Sequence, residues 1–420
     1  MKMKKFNRMI RRFLVLCLCL ALLAGSACAE EMKSICSGLD HVYYSCTLED
    51  GRLLLTGVKN RTTSDYYDPV AWVVCLNPDG TVSWEFDDQG ADGYSSVVQA
   101  AALRDGNVAM VFEDRQLLDR EDRITIRFFA KDGQPTGKEL PIPTDCVTFR
   151  ATPSWLMLNR WKKEERINET LLIDWGGNEL LRYDGLILPG GYGDAVENTE
   201  ELVFFGMDKM EHSHAKILKL DGFTDTVLWE TTLDWQLPGT EEGRISSCVR
   251  TDDGGYLAWV EEAEPVKDDE WIRWKPFLVK FDAEGRVLWI NREICEKHEL
   301  LGSCMCFHDG KVMIPCVAET DEDPDGIAPW LFLWLDEDGN ELGTTKVELN
   351  IGDLQVASQY VGPAGDGTNW EPCAYLWDLI PMTDGLLALG LCDVERMDGE
   401  EYQETIPEAS ETFLVRIPEP

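Results

Sequence analysis

The clearest pattern along the chain lies between Phe277 and Trp289. Phe277, Val279 and Phe281 alternate with Leu278, Lys280 and Asp282, which is the period of a strand rather than a helix. Asp282 to Gly285 supplies a tight turn, with Gly285 free to take a positive φ. Val287 and Trp289 restart the alternation, so the stretch predicts a β-hairpin. The same phrase recurs. Ala71 to Leu76 leads into the turn Asn77 to Gly80 and then Thr81 to Trp84, and Ile124 to Ala130 leads into Lys131 to Gly133. Further copies are Thr170 to Trp175 before Gly176-Gly177, Ala215 to Leu220 before Asp221-Gly222, and Trp330 to Leu335 before Asp336 to Gly339.

A second hairpin precedes each copy, usually turned by Asp-Gly, as at Asp50-Gly51, Asp105-Gly106, Asp309-Gly310 and Asp384-Gly385. Naming the four strands A to D, the chain holds seven units spaced by about 55 residues, which predicts an all-β fold, a seven-bladed β-propeller of four antiparallel strands per blade. The seventh unit lacks its D strand, because Pro418-Glu419-Pro420 cannot continue a ladder. Met32 to Cys36 has no other assignment and is expected to pair there, closing the ring with the N-terminal segment. On the Asp-Gly of the A–B turns and the Gly-x-Val-x-Trp at Gly80 to Trp84 and Gly285 to Trp289, the chain resembles secreted bacterial β-propellers of the WD-repeat and quinoprotein-like superfamily. That resemblance implies architecture and not function.

Residues 1–29 read as a signal peptide, leaving 30–420 as a single propeller domain. Lys2, Lys4, Lys5, Arg8, Arg11 and Arg12 precede an apolar run from Phe13 to Leu23, and Ala27-Cys28-Ala29 fits a cleavage site. Cys28 offers a competing reading as a lipidated cysteine, although the leucine usual three residues earlier is missing. The protein is therefore expected outside the cell or at its envelope. The formal charge of −38 argues against nucleic acid as a partner, since phosphate would be repelled nearly everywhere. Three of the 14 cysteines lie in the leader, and the rest match no disulfide framework or zinc ribbon. Most are expected as small core hydrophobes, with one or two disulfides.

In such a ring the A–B and C–D turns share one face, and the B–C and D–A connections share the other. The long irregular segments here are all B–C or D–A, so that face is the candidate recognition surface. Its loops carry Tyr66, Tyr67, Trp161, Tyr192, Trp235, Trp271, Trp274 and Trp370, rings able to stack on sugars or peptide side chains. The plainer reading has them cap the core between blades. Asp321, Asp323 and Asp325 match half of a calcium loop, but the position of its closing glutamate is Phe332, so a structural Ca2+ competes with a solvated acidic loop. His212 and His214 form the one close histidine pair, with no third ligand in view. There is no Gly-x-Ser-x-Gly elbow, phosphate loop or His-Glu-x-x-His helix, and no cofactor is expected.

Three functions fit. One is a monomeric, non-catalytic module binding a protein or glycan. Another is an extracellular carbohydrate-active enzyme, a glycoside hydrolase or lyase, with carboxylates at the mouth of the central channel. The third is a structural envelope protein.

Overall fold

A computed structural model describes residues 32–37, 40–60, 69–88, 94–115, 123–143, 146–162, 167–184, 195–197, 201–208, 213–224, 226–233, 242–264, 273–298, 305–316, 329–363, 369–382, 385–398, 401–406 and 409–418. Residues 1–29, where a signal peptide is expected, lie outside them. Strand β1 (Lys33–Ser37) comes first. Blade one is β2 (His41–Thr47), β3 (Leu53–Asn60), β4 (Pro69–Leu76) and β5 (Val82–Asp87). Blade two is β6 (Tyr94–Ala102), β7 (Val108–Arg115), β8 (Arg123–Phe129) and β9 (Pro135–Ile142). Blade three is β10 (Cys146–Ala151), β11 (Trp155–Lys162), β12 (Ile167–Asp174) and β13 (Glu179–Asp184). Blade four is β14 (Ala195–Glu197), β15 (Glu201–Met207), β16 (Ala215–Asp221) and β17 (Val227–Thr232). Blade five is β18 (Gly243–Arg250), β19 (Tyr256–Glu264), β20 (Arg273–Phe281) and β21 (Val287–Asn291), followed by the short helix α1 (Glu293–His298). Blade six is β22 (Cys306–His308), β23 (Lys311–Cys316), β24 (Trp330–Asp336) and β25 (Glu341–Val347). The seventh sheet holds β26 (Gly362–Pro363), β27 (Asn369–Met382), β28 (Gly385–Asp398), β29 (Glu401–Thr405), β30 (Glu411–Ile417) and β1.

Seven blades arise because no blade has a core of its own. Strand side chains point alternately to the two faces of a sheet, and here each face meets a different neighbour. Leu53, Leu55, Trp72, Val74 and Leu76 pack on Ile380, Met382 and Leu389 of blade seven. Their alternates Leu54, Ala71, Val73 and Cys75 pack on Val97, Met110, Phe112 and Phe129 of blade two. The strand Phe277 to Phe281 divides the same way: Phe277, Val279 and Phe281 face blade four, and Leu278 faces blade six. Burial on both faces explains why inner strands read as nearly unbroken apolar runs. Each such buried side chain stabilises the seam by about 2 kcal/mol.

The C–D turns add a second tie. Each closes by paired backbone hydrogen bonds, as from Asp282 N–H to the Arg286 carbonyl at 2.9 Å and from Gly285 N–H to the Asp282 carbonyl at 3.0 Å. Asp282 Oδ1 accepts the backbone N–H groups of Glu284 and Arg286. Gly285 takes φ +77°, which alone favours glycine. It also lies under the ring of Trp229, the D-strand tryptophan of blade four, so an added Cβ would fall inside the indole. Trp289 sits on Gly339 of blade six in the same way, and Trp84 on Gly133 of blade two. Glycine is thus demanded twice at these turns, by backbone and by the next tryptophan.

Closure follows the expected route. β1 pairs antiparallel with β30, from Lys33 opposite Leu414 to Ser37 opposite Glu411. Lys33 Nζ donates to the Gly80 carbonyl of blade one. Met32 is buried in the seam between blades six and seven. The innermost strands touch from blade one to blade three and from blade four to blade seven, with β27 reaching both β22 and β2. The ten described cysteines form no disulfide, which corrects the expectation of one or two for these residues. Burial pushes the thiols of Cys295 and Cys306 up to about 12, so they behave as un-ionised core groups.

Blade seven departs from the repeat. β27 and β28 are 14 residues each, far longer than an ordinary strand. β30 pairs with β28 only from Leu386 to Cys392. Beyond that point β28 takes β29 as its partner and β27 takes β26. The hairpin therefore runs on as an arm at the end of the blade where B–C and D–A connections lie.

Candidate functional site

The arm has two unlike faces. Trp370, Ala374 and Leu376 pack with Ile351, Val361 and Ile406 against the core between blades six and seven, where Cys392 and Val394 are buried. The opposite face carries Glu371, Cys373 and Tyr375 of β27 across from Glu395, Asp393 and Leu391 of β28. Tyr375 is 43% exposed and donates its hydroxyl to Glu395 Oε1 at 2.6 Å. Burial, then Cys373 and Glu395, raise that hydroxyl above the ordinary tyrosine range. Asp393 acts electrostatically on His41 of blade one, whose ring burial pushes below its usual value. Among the described residues, no lysine or arginine pairs with Glu371, Asp393 or Glu395.

Trp377 follows on the same innermost strand and is also 43% exposed. Leu376 pairs with Gly390 and Asp378 with Leu389, so Trp377 is the extra residue of a β-bulge. Tyr43, Val98, Phe149 and Ser246 are skipped in the same way on the innermost strands of blades one, two, three and five. A bulge bends its strand and re-aims a side chain, and the Trp377 ring at this one is left open to solvent. Past the bulge, Asp378 accepts Ser45 Oγ at 2.6 Å and its neighbour's N–H, from Leu379, at 2.8 Å. Burial holds the Asp378 carboxyl above the usual carboxylate range, against the opposing effect of Ser45 and of Arg150.

Of the aromatic residues expected on this face, Tyr66, Tyr67, Tyr192, Trp235 and Trp271 lie outside the described residues. Trp161 sits on β11 opposite Asn168, its side chain outside what is described. Trp274 on β20 is covered by the Arg244 guanidinium, 4.3 Å from its ring centre. Arg244 Nε in turn pairs with Glu261 at 2.6 Å, and Ser246 donates to the same carboxylate oxygen at 2.6 Å. Trp370 lies on the packed face of the arm with Arg396 at 5.9 Å. Tyr375 and Trp377 are not among the expected rings, because the alternation places both within a strand.

Elsewhere at this end of the ring, several acids carry arginine partners. Arg127 reaches Asp88, Asp114 at 3.2 Å and Glu139 at 3.6 Å, and lies over Phe112. The buried Glu169 is held between Arg160 and Arg182. Glu262, fully buried, meets Arg292 at 2.8 Å. His214 Nδ1 lies 3.1 Å from Asp208, while His212 lies outside the described residues. Among the described residues no three His, Cys, Asp or Glu gather as a metal site; Asp321, Asp323 and Asp325 lie outside them. No described helix is long and apolar enough to cross a membrane.

No family model matches the chain, and no curated protein does. Solved structures of similar shape include the β-propeller domain of the Trilobed protease from Pyrococcus furiosus, at 10% identity and TM-score 0.49, covering 88% of this chain and 96% of that one. Polysaccharide lyase Uly1 is similar at 9% identity and TM-score 0.49, with 90% of each chain covered. A prolyl endopeptidase is similar at 14% identity and TM-score 0.44, covering 86% of this chain and 46% of that one. At such identities the likeness is one of fold alone.

Proposed function

We propose that this propeller is an exported, monomeric binding module that takes a protein or glycan ligand at its B–C/D–A face, with Tyr375 and Trp377 as anchors. The observation that carries this is the exposure of two aromatic rings, 43% each, on an innermost strand beside the channel. Large rings left open to water on a rigid scaffold supply contact area at small entropic cost, and interface hot spots are enriched in them. The expected leader and the charge of −38 support a role outside the cell.

One observation favours the rival reading, a glycoside hydrolase or lyase. Asp378, its carboxyl raised by burial beside Trp377, has the environment of a general acid. The groups acting on it most strongly are Ser45, the Leu379 N–H and Arg150. A second carboxylate is not among these leading influences, and a glycosidase needs two.

The test is a glycan array and a protein-partner screen with residues 30–420, repeated for Trp377→Ala and Tyr375→Ala. At least a tenfold loss of affinity is expected for Trp377→Ala. Unchanged binding by both variants would sink the site assignment. Release of reducing ends from a polysaccharide, abolished by Asp378→Asn, would replace the module with the enzyme.

A further inference from the structure

Resting on that reading of the face, we infer that the open side of the blade-seven arm docks a basic, extended peptide segment of a protein partner. Glu371 and Glu395 stand directly opposite each other in the β27–β28 register, with Asp393 one pair along on the same face. Like charges opposite one another in a ladder destabilise it. The protein relieves that cost elsewhere at this end with arginine: Arg127 among Asp88, Asp114 and Glu139, Arg160 and Arg182 on Glu169, Arg292 on Glu262. On the arm, no described lysine or arginine does so. The missing cation is what a partner would bring.

The aromatic residues fit the same guest. A lysine or arginine head held by Glu371 and Glu395 would lie beside Tyr375, on the same face, with Trp377 two residues farther along the strand. Ring faces attract such cations within about 6 Å of their centroids. The global charge of −38 steers basic partners in and repels acidic glycans, so the charge pattern selects peptide over polyanion. The packed face of the arm, through Trp370, Ala374 and Leu376, keeps the platform rigid.

The probe is fluorescein-labelled hexa-arginine, with hexa-glutamate as control, titrated with residues 30–420 by anisotropy at physiological salt. Glu371→Gln, Asp393→Asn and Glu395→Gln together should weaken hexa-arginine binding at least tenfold. A matched triple on the opposite face, Glu49→Gln, Asp132→Asn and Glu284→Gln, removes the same charge and should change it less than twofold. Equal losses in the two triples would mean that only the overall field attracts the probe, which overturns the inference. So would retained binding in the arm triple. If the arm triple has no effect while Trp377→Ala abolishes capture of a ligand from the screen, the face binds by its rings and the module survives without this inference. If neither change matters, the module reading falls as well.

Discussion

In blade five, two neighbouring acids near the B–C end of β19 are answered. Glu261 is bound by Arg244 and Ser246, Glu262 by Arg292, and even Trp274 is covered by Arg244. In blade seven, the corresponding end of the B strand runs on into an arm where Glu371, Asp393 and Glu395 have no described lysine or arginine and where Tyr375 and Trp377 stand open. The two blades share strand order and antiparallel register and differ in how charge is handled. A blade whose job is to hold its neighbours silences its carboxylates internally. One that leaves them bare gives up stability, and such local inconsistencies are expected at functional sites.

The comparison breaks most completely if blade seven is removed as a scaffold. Deleting the last eight residues, Phe413 to Pro420, takes away most of β30, on which both β1 and β28 depend. Because cores lie at seams, blades six and one lose their partners together. The expected outcome is loss of the cooperative thermal transition of the entire ring, read by circular dichroism. A protein that retains six blades' worth of β signal and a sharp transition would show the seams to be independent.

A smaller effect tests the clamps of blade five. Arg292→Ala removes the 2.8 Å ion pair to the fully buried Glu262, which should destabilise the protein by about 3 kcal/mol in denaturant titration. Arg396→Ala on the arm, whose guanidinium lies 5.9 Å from the partly exposed Trp370, should cost less than Arg292→Ala. Equal costs would erase the distinction between a clamped blade and an open one.

The ring was legible because its logic is local. Alternation, Asp-Gly turns and the Gly-to-Trp spacing all lie within one hairpin, and the closing strand followed from the one repeat that came up short. The arm was not legible, for physical reasons. Pro372 sits inside β27 and reads as a strand breaker, so the fourteen-residue strand looked like an ordinary one beginning at Tyr375. The bulge at Trp377 changes which way a ring points without changing the alternation that announces a core. Clamps such as Arg127 with Asp88, 39 residues apart, join positions that no local pattern connects. The one available signal was the Tyr375-Leu376-Trp377-Asp378 run, two rings and an acid within four residues of one strand.

The sharpest form of the comparison is a change of sign. Neutralising Glu261 or Glu262 in blade five should cost stability, because they are the anchors of Arg244 and Arg292. Neutralising Glu371 should do the reverse. Glu371 faces Glu395 across the ladder, and Glu395 keeps its hydrogen bond from Tyr375 whether or not Glu371 is charged. Glu371→Gln preserves shape and removes only the repulsion, so folding should be stabilised by about 0.5 kcal/mol. The gain should shrink as salt is raised, because the pair is partly exposed and therefore screened. Denaturant melts of Glu371→Gln and Glu262→Gln, each at low and high salt, decide it. A stabilised arm variant beside a destabilised blade-five variant means that blade seven holds unspent electrostatic energy, which a basic guest would release on binding. If Glu371→Gln instead destabilises, Glu371 has a partner within the fold and the arm is one more clamped blade.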